Sequence, residues 1–174
     1  EDSHFSLADA AAATGLPVIS FQHRNLDDLE KLMKKHLGPG QRPLVASDGL
    51  FPVMGNLAPI RDYLEMTEKY HGVVWIDDAH GVGILGAHGR GSCEALRIRS
   101  NRIDLGATLS KAFGAYGGII AGKRDFIREV RSGAVMTGSS SPMNAAVAAG
   151  MKGLELVREN NSFRKNLWSI ARYM

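Results

Sequence analysis

The sequence has a single cysteine, Cys93, so it cannot close a disulfide on itself, and a reducing compartment is the expected setting. It has no apolar run long enough to span a bilayer, and the opening Glu1-Asp2-Ser3-His4 has neither the basic nor the apolar part of a secretory signal. No membrane is therefore expected, and cytoplasm is the default location. A dense Lys/Arg block is also missing: 21 basic and 18 acidic residues are scattered along the chain for a formal charge of +3, which gives no footing to a nucleic-acid arm. No internal repeat is present, and the one low-complexity stretch, Ala10–Ala13, reads as helix.

What is present is a chain of 174 residues, 44% of them apolar. That is enough for one domain with a substantial core and too little for two. Apolar runs of strand length recur at Pro17–Phe21, Pro43–Ser47, Gly72–Ile76, Ile103–Thr108 and Gly118–Gly122, each bounded by Gly, Asp or Pro. Their continuity reads as burial on both faces. Between them, helical spacing covers Leu7–Thr14, Leu26–Leu37 behind an Asn25 cap, Pro59–Tyr70 and Asp125–Ser132. This alternation predicts an α/β fold, a mostly parallel sheet sandwiched by helices, because parallel strands need crossover connections. From Pro142 the pattern changes to two helices, Asn144–Arg158 and Phe163–Met174, with no strand between them. The expected division is an α/β core over 1–141 followed by helices over 142–174, in a longer protein cut at both sides.

Two segments carry chemistry. In Val73-Val74-Trp75-Ile76-Asp77-Asp78-Ala79-His80-Gly81 an apolar strand ends on two carboxylates and an imidazole, at the place where open α/β sheets bind ligands. Asp77 there would keep a cofactor's pyridine nitrogen protonated so that the ring drains electrons from a breaking bond. The same pair would equally serve to bind metal or cap the next turn, and His80 would meet either a phenolic oxygen of that ring or a loop carbonyl. In Asp104-Leu105-Gly106-Ala107-Thr108-Leu109-Ser110-Lys111-Ala112-Phe113-Gly114, Lys111 stands at a strand end where shielding by Phe113 would favour a neutral, Schiff-base-forming amine. A hydroxyl at Thr108 has the reach of a phosphate oxygen held also by backbone N–H groups. The bland alternative is a surface lysine in a polar loop.

These segments, with Ser3-His4-Phe5-Ser6, Phe21-Gln22-His23-Arg24-Asn25, Asp48-Gly49-Leu50-Phe51, Gly55, Ala58-Pro59, Gly89-Arg90-Gly91 and Thr108-Leu109-Ser110-Lys111, resemble in order and spacing the α-oxoamine synthases. That family of pyridoxal-phosphate (PLP) enzymes includes 8-amino-7-oxononanoate synthase and 2-amino-3-ketobutyrate CoA ligase. The resemblance implies the large domain of the fold type I PLP-dependent transferases. It implies that Lys111 forms the Schiff base and moves the substrate α-proton, that Asp77 pairs with the pyridine nitrogen and His80 with the phenolate, that His4 stacks on the ring and that Thr108 holds the phosphate. Thr137 matches, more loosely, the position that reaches the phosphate of a neighbouring subunit, which implies a homodimer. The implied activity joins a small amino acid to an acyl-CoA, usually with loss of carbon dioxide.

The chain departs from the family pattern at Pro52, where a serine that helps to hold the cofactor is usual; proline brings neither hydroxyl nor N–H. Family members are also about twice as long. The competing readings are an aminotransferase or lyase of the same fold and a silent domain that only binds. A dinucleotide site at Gly81-Val82-Gly83-Ile84-Leu85-Gly86 is the weakest, because the pattern does not come directly off a strand. Ordinary roles are expected elsewhere: an idle thiol at Cys93, loop contacts for His23 and His88, core for Trp75, and a solvated helix face for Lys31, Lys34 and Lys35.

Overall fold

A computed structural model describes residues 1–174. Its main sheet has four strands in the order β1 (Leu44–Asp48), β4 (Val73–Asp77), β5 (Ile103–Thr108) and β6 (Gly118–Ala121). The first three are parallel, and β6 runs antiparallel to β5. The reversal follows from the link: Leu109–Gly117 is too short for a parallel crossover. It is clamped at its base where the Leu109 N–H donates to the Gly117 carbonyl at 2.8 Å. Two further short strands, β2 (Leu50–Phe51) and β3 (Asn56–Leu57), form a hairpin around Pro52–Gly55. Gly55 supplies the positive φ of 65° that the turn requires.

Helices α2 (Leu26–His36) and α3 (Ile60–Glu68) cover one face of the sheet. The side chain of Asn25 caps α2 by accepting the Asp28 N–H at 3.0 Å, while Asp27 and Asp28 at the start and Lys34, Lys35 and His36 at the end match the helix dipole. The buried residues of α3, Ile60, Tyr63, Leu64 and Thr67, follow helical spacing, and with Leu29 and Met33 of α2 they close on Val45, Val74 and Ile76 of the sheet. The other face is different. Along β4 burial alternates, with Val74 and Ile76 fully buried but Val73, Trp75 and Asp77 only half-buried. The strands are thus buried on one face, not two, because the second face carries only α5 (Arg124–Ser132), whose Phe126 ring meets Trp75 edge-on at 6.3 Å, and the segment leading into α1 (Phe5–Ala13). Trp75 accordingly floors a cavity and is not core.

Pro17–Phe21 is not a strand. It is an extended connection with Val18 and Ile19 exposed and no ladder to β1, so its strand-like composition lacks a partner. The remaining helices are the short α4 (Ser92–Ala95), α6 (Asn144–Glu159) and α7 (Ser162–Tyr173). The last two dock on the loops: Gly150 and Gly153 of α6 face Leu109 and Phe113, and the Trp168 indole donates to the Ile84 carbonyl at 3.2 Å. No helix is long and apolar enough to cross a membrane.

Candidate functional site

Parallel register places Asp48, Asp77 and Gly106 side by side near the carboxyl ends of β1, β4 and β5. A cavity of about 670 Å³ opens there, lined among others by His4, Asp48, Asp77, His80, Thr108 and Lys111. Its volume lies in the range of small-molecule sites, and its place is the one α/β sheets use. Gly106 is needed for its floor, since a Cβ there would sit 2.9 Å from the Trp75 ring.

Lys111 leaves the β5–β6 link and brings Nζ to 2.8 Å from His80 Nε2. Burial, and then the positive charge of Lys111, lower the His80 pKa, so the imidazole is neutral at pH 7 and its Nε2 is placed to accept from Lys111 Nζ. Lys111 itself is exposed, and the shielding expected from Phe113 is absent. The Phe113 ring is buried against Gly83, and its backbone against Gly153 of α6, not over the amine. Thr108 Oγ1 lies 2.7 Å from Ser110 Oγ and accepts the Ser110 N–H at 3.2 Å, so two hydroxyls and an amine line one side. His4 reaches the cavity from the start of α1; its N–H donates to Asp48 Oδ2 at 3.1 Å and its Nδ1 lies 2.7 Å from Ser6 Oγ.

The two adjacent aspartates separate. Asp77 faces the cavity, with Oδ1 accepting the Ala79 N–H at 3.1 Å. Asp78 is fully buried, accepts the Ser92 N–H at 2.8 Å and is enclosed by Gly49, Gly81 and Gly91, each of which would drive a Cβ into its carboxylate. They therefore share no cation. Burial pushes the Asp78 pKa up to about 6. Between the ordinary carboxylate value and that one the folded chain binds more protons than the unfolded chain, so stability falls as pH rises from about 4 to 6, on the order of 2–3 kcal/mol from this group. Urea unfolding across that range is expected to show this slope, and Asp78→Asn to remove it; an unchanged slope would exclude Asp78 as its source.

Thr137 is not brought to the cavity: it is exposed, and its hydroxyl donates to the Gly133 carbonyl at 3.4 Å, although Met136 lines the edge. Pro52 is exposed in the hairpin and does not line the cavity either. Gly81–Gly86 forms turns with no helix behind them, unlike a dinucleotide loop. Burial raises the Cys93 thiol to about 11, which leaves it inert. His23 lies 3.3 Å from Asn56 of the hairpin, and His88 pairs with Glu94 at 2.6 Å. Asp48, Trp75 and Arg131 are among the lining residues that sequence reasoning gave no part in the site; the strand register puts the first two there, and alternation back from Asp77 was the signal for Trp75.

Comparison with known proteins gives the family. The model of the family described as aminotransferase class I and II matches residues 2–174. The chain is 37% identical over 175 residues to an 8-amino-7-oxononanoate synthase of Thermosipho melanesiensis and 33% identical over 175 residues to one of Thermoanaerobacter pseudethanolicus, in each case covering 99% of this chain. Among solved structures it is similar to a serine palmitoyltransferase of S. paucimobilis with a bound PLP–myriocin aldimine, with a TM-score of 0.90, 26% identity and 98% of this chain covered. The chain spans 44% of the length of each of these relatives. With a match of that extent, the chain belongs to the aminotransferase class I and II family.

Proposed function

We propose that this chain is the cofactor-holding core, centred on residues 1–141, of a PLP-dependent acyltransferase. The reaction joins a small amino acid to an acyl-CoA thioester to give an α-amino ketone, usually with loss of the amino acid carboxylate as carbon dioxide. The observation that carries this reading is the 2.8 Å approach of Lys111 to His80 in a cavity that also presents Asp77 and His4.

The side chains present fit the cofactor. Lys111 is an amine to condense with its aldehyde, Asp77 a carboxylate for its ring nitrogen, His80 an imidazole for its phenolic oxygen, and Thr108 a hydroxyl for its phosphate. When bound, PLP supplies an electron sink that makes the α-proton of an amino acid acidic. Asp77, already oriented by the Ala79 N–H, would hold the ring nitrogen protonated without reorganising. His80, neutral at pH 7, orients Lys111. Nζ of Lys111, once free, takes and returns the α-proton. His4 would stack on the ring face. Thr137, outside this cavity, is assigned to the phosphate of a second subunit, so the working unit is a homodimer. Its setting is the cytoplasm, where the inert thiol of Cys93 stays reduced.

Reduction of the full-length protein with borohydride in the presence of PLP is expected to label the Lys111 peptide alone. Addition of amino acid and acyl-CoA together is expected to release free thiol, and neither alone to do so. Turnover of amino acids with no thiol release would reject the acyltransferase in favour of an aminotransferase while leaving the cofactor site in place.

A further inference from the structure

Asp48 has no part in the roles given above, yet it is built into the same cavity. It ends β1, is 3% exposed and is the register partner of Asp77. Oδ2 accepts the His4 N–H at 3.1 Å, while Oδ1 is buried with no hydrogen-bond partner. Burial raises its pKa and the charge of Asp77 adds to the rise, against the opposing pull of the His4 N–H. A carboxylate this poorly satisfied costs stability, so a neutral residue of similar size would fold better. The need for it is visible at the other end of the bond. Helix α1 has no buried residue, so apolar packing does not hold His4 at the cavity. The hydrogen bond to Asp48 ties the start of α1 to the end of β1.

We infer that Asp48 is a positioning residue that holds His4 over the cofactor ring through its backbone N–H. This rests on the PLP reading, which gives His4 the ring face. The bond is charge-assisted and therefore short-range and directional; the Glu1 amino group on the Phe21 carbonyl at 2.7 Å and Asp2 beside His23 at 3.6 Å tether the same segment, but of these three contacts only the bond to Asp48 is made by His4 itself.

The test uses the full-length protein loaded with PLP. Asp48→Ala is expected to weaken PLP binding about tenfold, the effect of one lost charge-assisted hydrogen bond. It is also expected to diminish the induced circular dichroism of the bound cofactor, which reports ring orientation and which a merely structural role would not move. Asp48→Asn, which keeps an acceptor oxygen, is expected to recover most of both. In a His4→Ala background, where no ring remains to be placed, Asp48→Ala is expected to add less than about twofold. Unchanged dichroism, or effects of the two substitutions that multiply in full, would overturn the inference. Where Asp48→Ala does not fold, Asp48→Asn carries the same cycle with smaller effects of the same sign. A wild-type protein that forms no Lys111 adduct removes the PLP reading and this inference together; one that does, with Asp48→Ala indistinguishable from it, removes the inference alone.

Discussion

Lys111→Ala is expected to leave the full-length protein folded, to abolish its covalent hold on PLP and to lower turnover by roughly a thousandfold or more. Stability changes little because the lysine is exposed and its side-chain hydrogen bond is to another site residue, His80. Function is lost because no second amine lines the cavity to take its place. Two readouts separate this outcome from general damage. The visible absorbance of the protein-bound Schiff base disappears, and a small primary amine such as methylamine restores part of the turnover by moving the α-proton in place of Nζ. The neighbouring imidazole supplies a third: removal of the Lys111 charge lets the His80 pKa rise, though burial continues to hold it down, a shift that NMR titration resolves. A borohydride adduct that survives in Lys111→Ala would place the reactive amine elsewhere and undo the site.

Gly91→Ala is expected to destabilise the fold by about 3–5 kcal/mol, or to prevent folding altogether. Its backbone, at φ 91° and ψ −162°, lies in a region that only glycine occupies without strain. The added methyl would also overlap Asp78 Oδ2. Asp78 has nowhere to retreat, since its other oxygen already meets the space that Cβ atoms on Gly49 and Gly81 would need. Gly40→Ala is the matched control, with a positive φ of 77° and nothing within 4 Å of an added Cβ, and it should cost only about 1 kcal/mol. Urea unfolding of the two variants decides the matter: equal losses would mean that backbone strain alone is at work and that Asp78 is not tightly enclosed.

Much of this architecture is legible in the residues. Val73–Ile76 announces a strand because continuous apolar residues stop abruptly at Asp77, and Asn25 announces its helix because a capping amide precedes spaced leucines. The site chemistry is legible for the same reason: Asp77, His80 and Lys111 stand at strand ends, where side chains meet a cavity. What was not legible depends on partners distant in sequence. Pro17–Phe21 has strand composition, but no edge comes to pair with it. Phe113 is apolar and close to Lys111 in sequence, but the nearest apolar surroundings in space are Gly83 and α6, so it leaves the amine exposed. Asp48 stood out only as part of a pattern. Its nearness to His4 spans 44 positions of chain and follows from the pairing of β1 with β4 and the path of α1.

The cavity walls come from the start of α1, the ends of β1 and β4, β5 and the link after it, β6 and α5, so residues far apart in the chain must meet to form it. In a polypeptide made from its amino end, His4 and Asp48 exist early, but His80 has no Lys111 to meet until β5 has been made and laid against β4. Closure of such distant pairs is slow compared with helix formation. Whatever the cavity receives therefore arrives late, after the sheet is in order, and the appearance of bound ligand in a refolding chain times the completion of the β1–β4–β5 array.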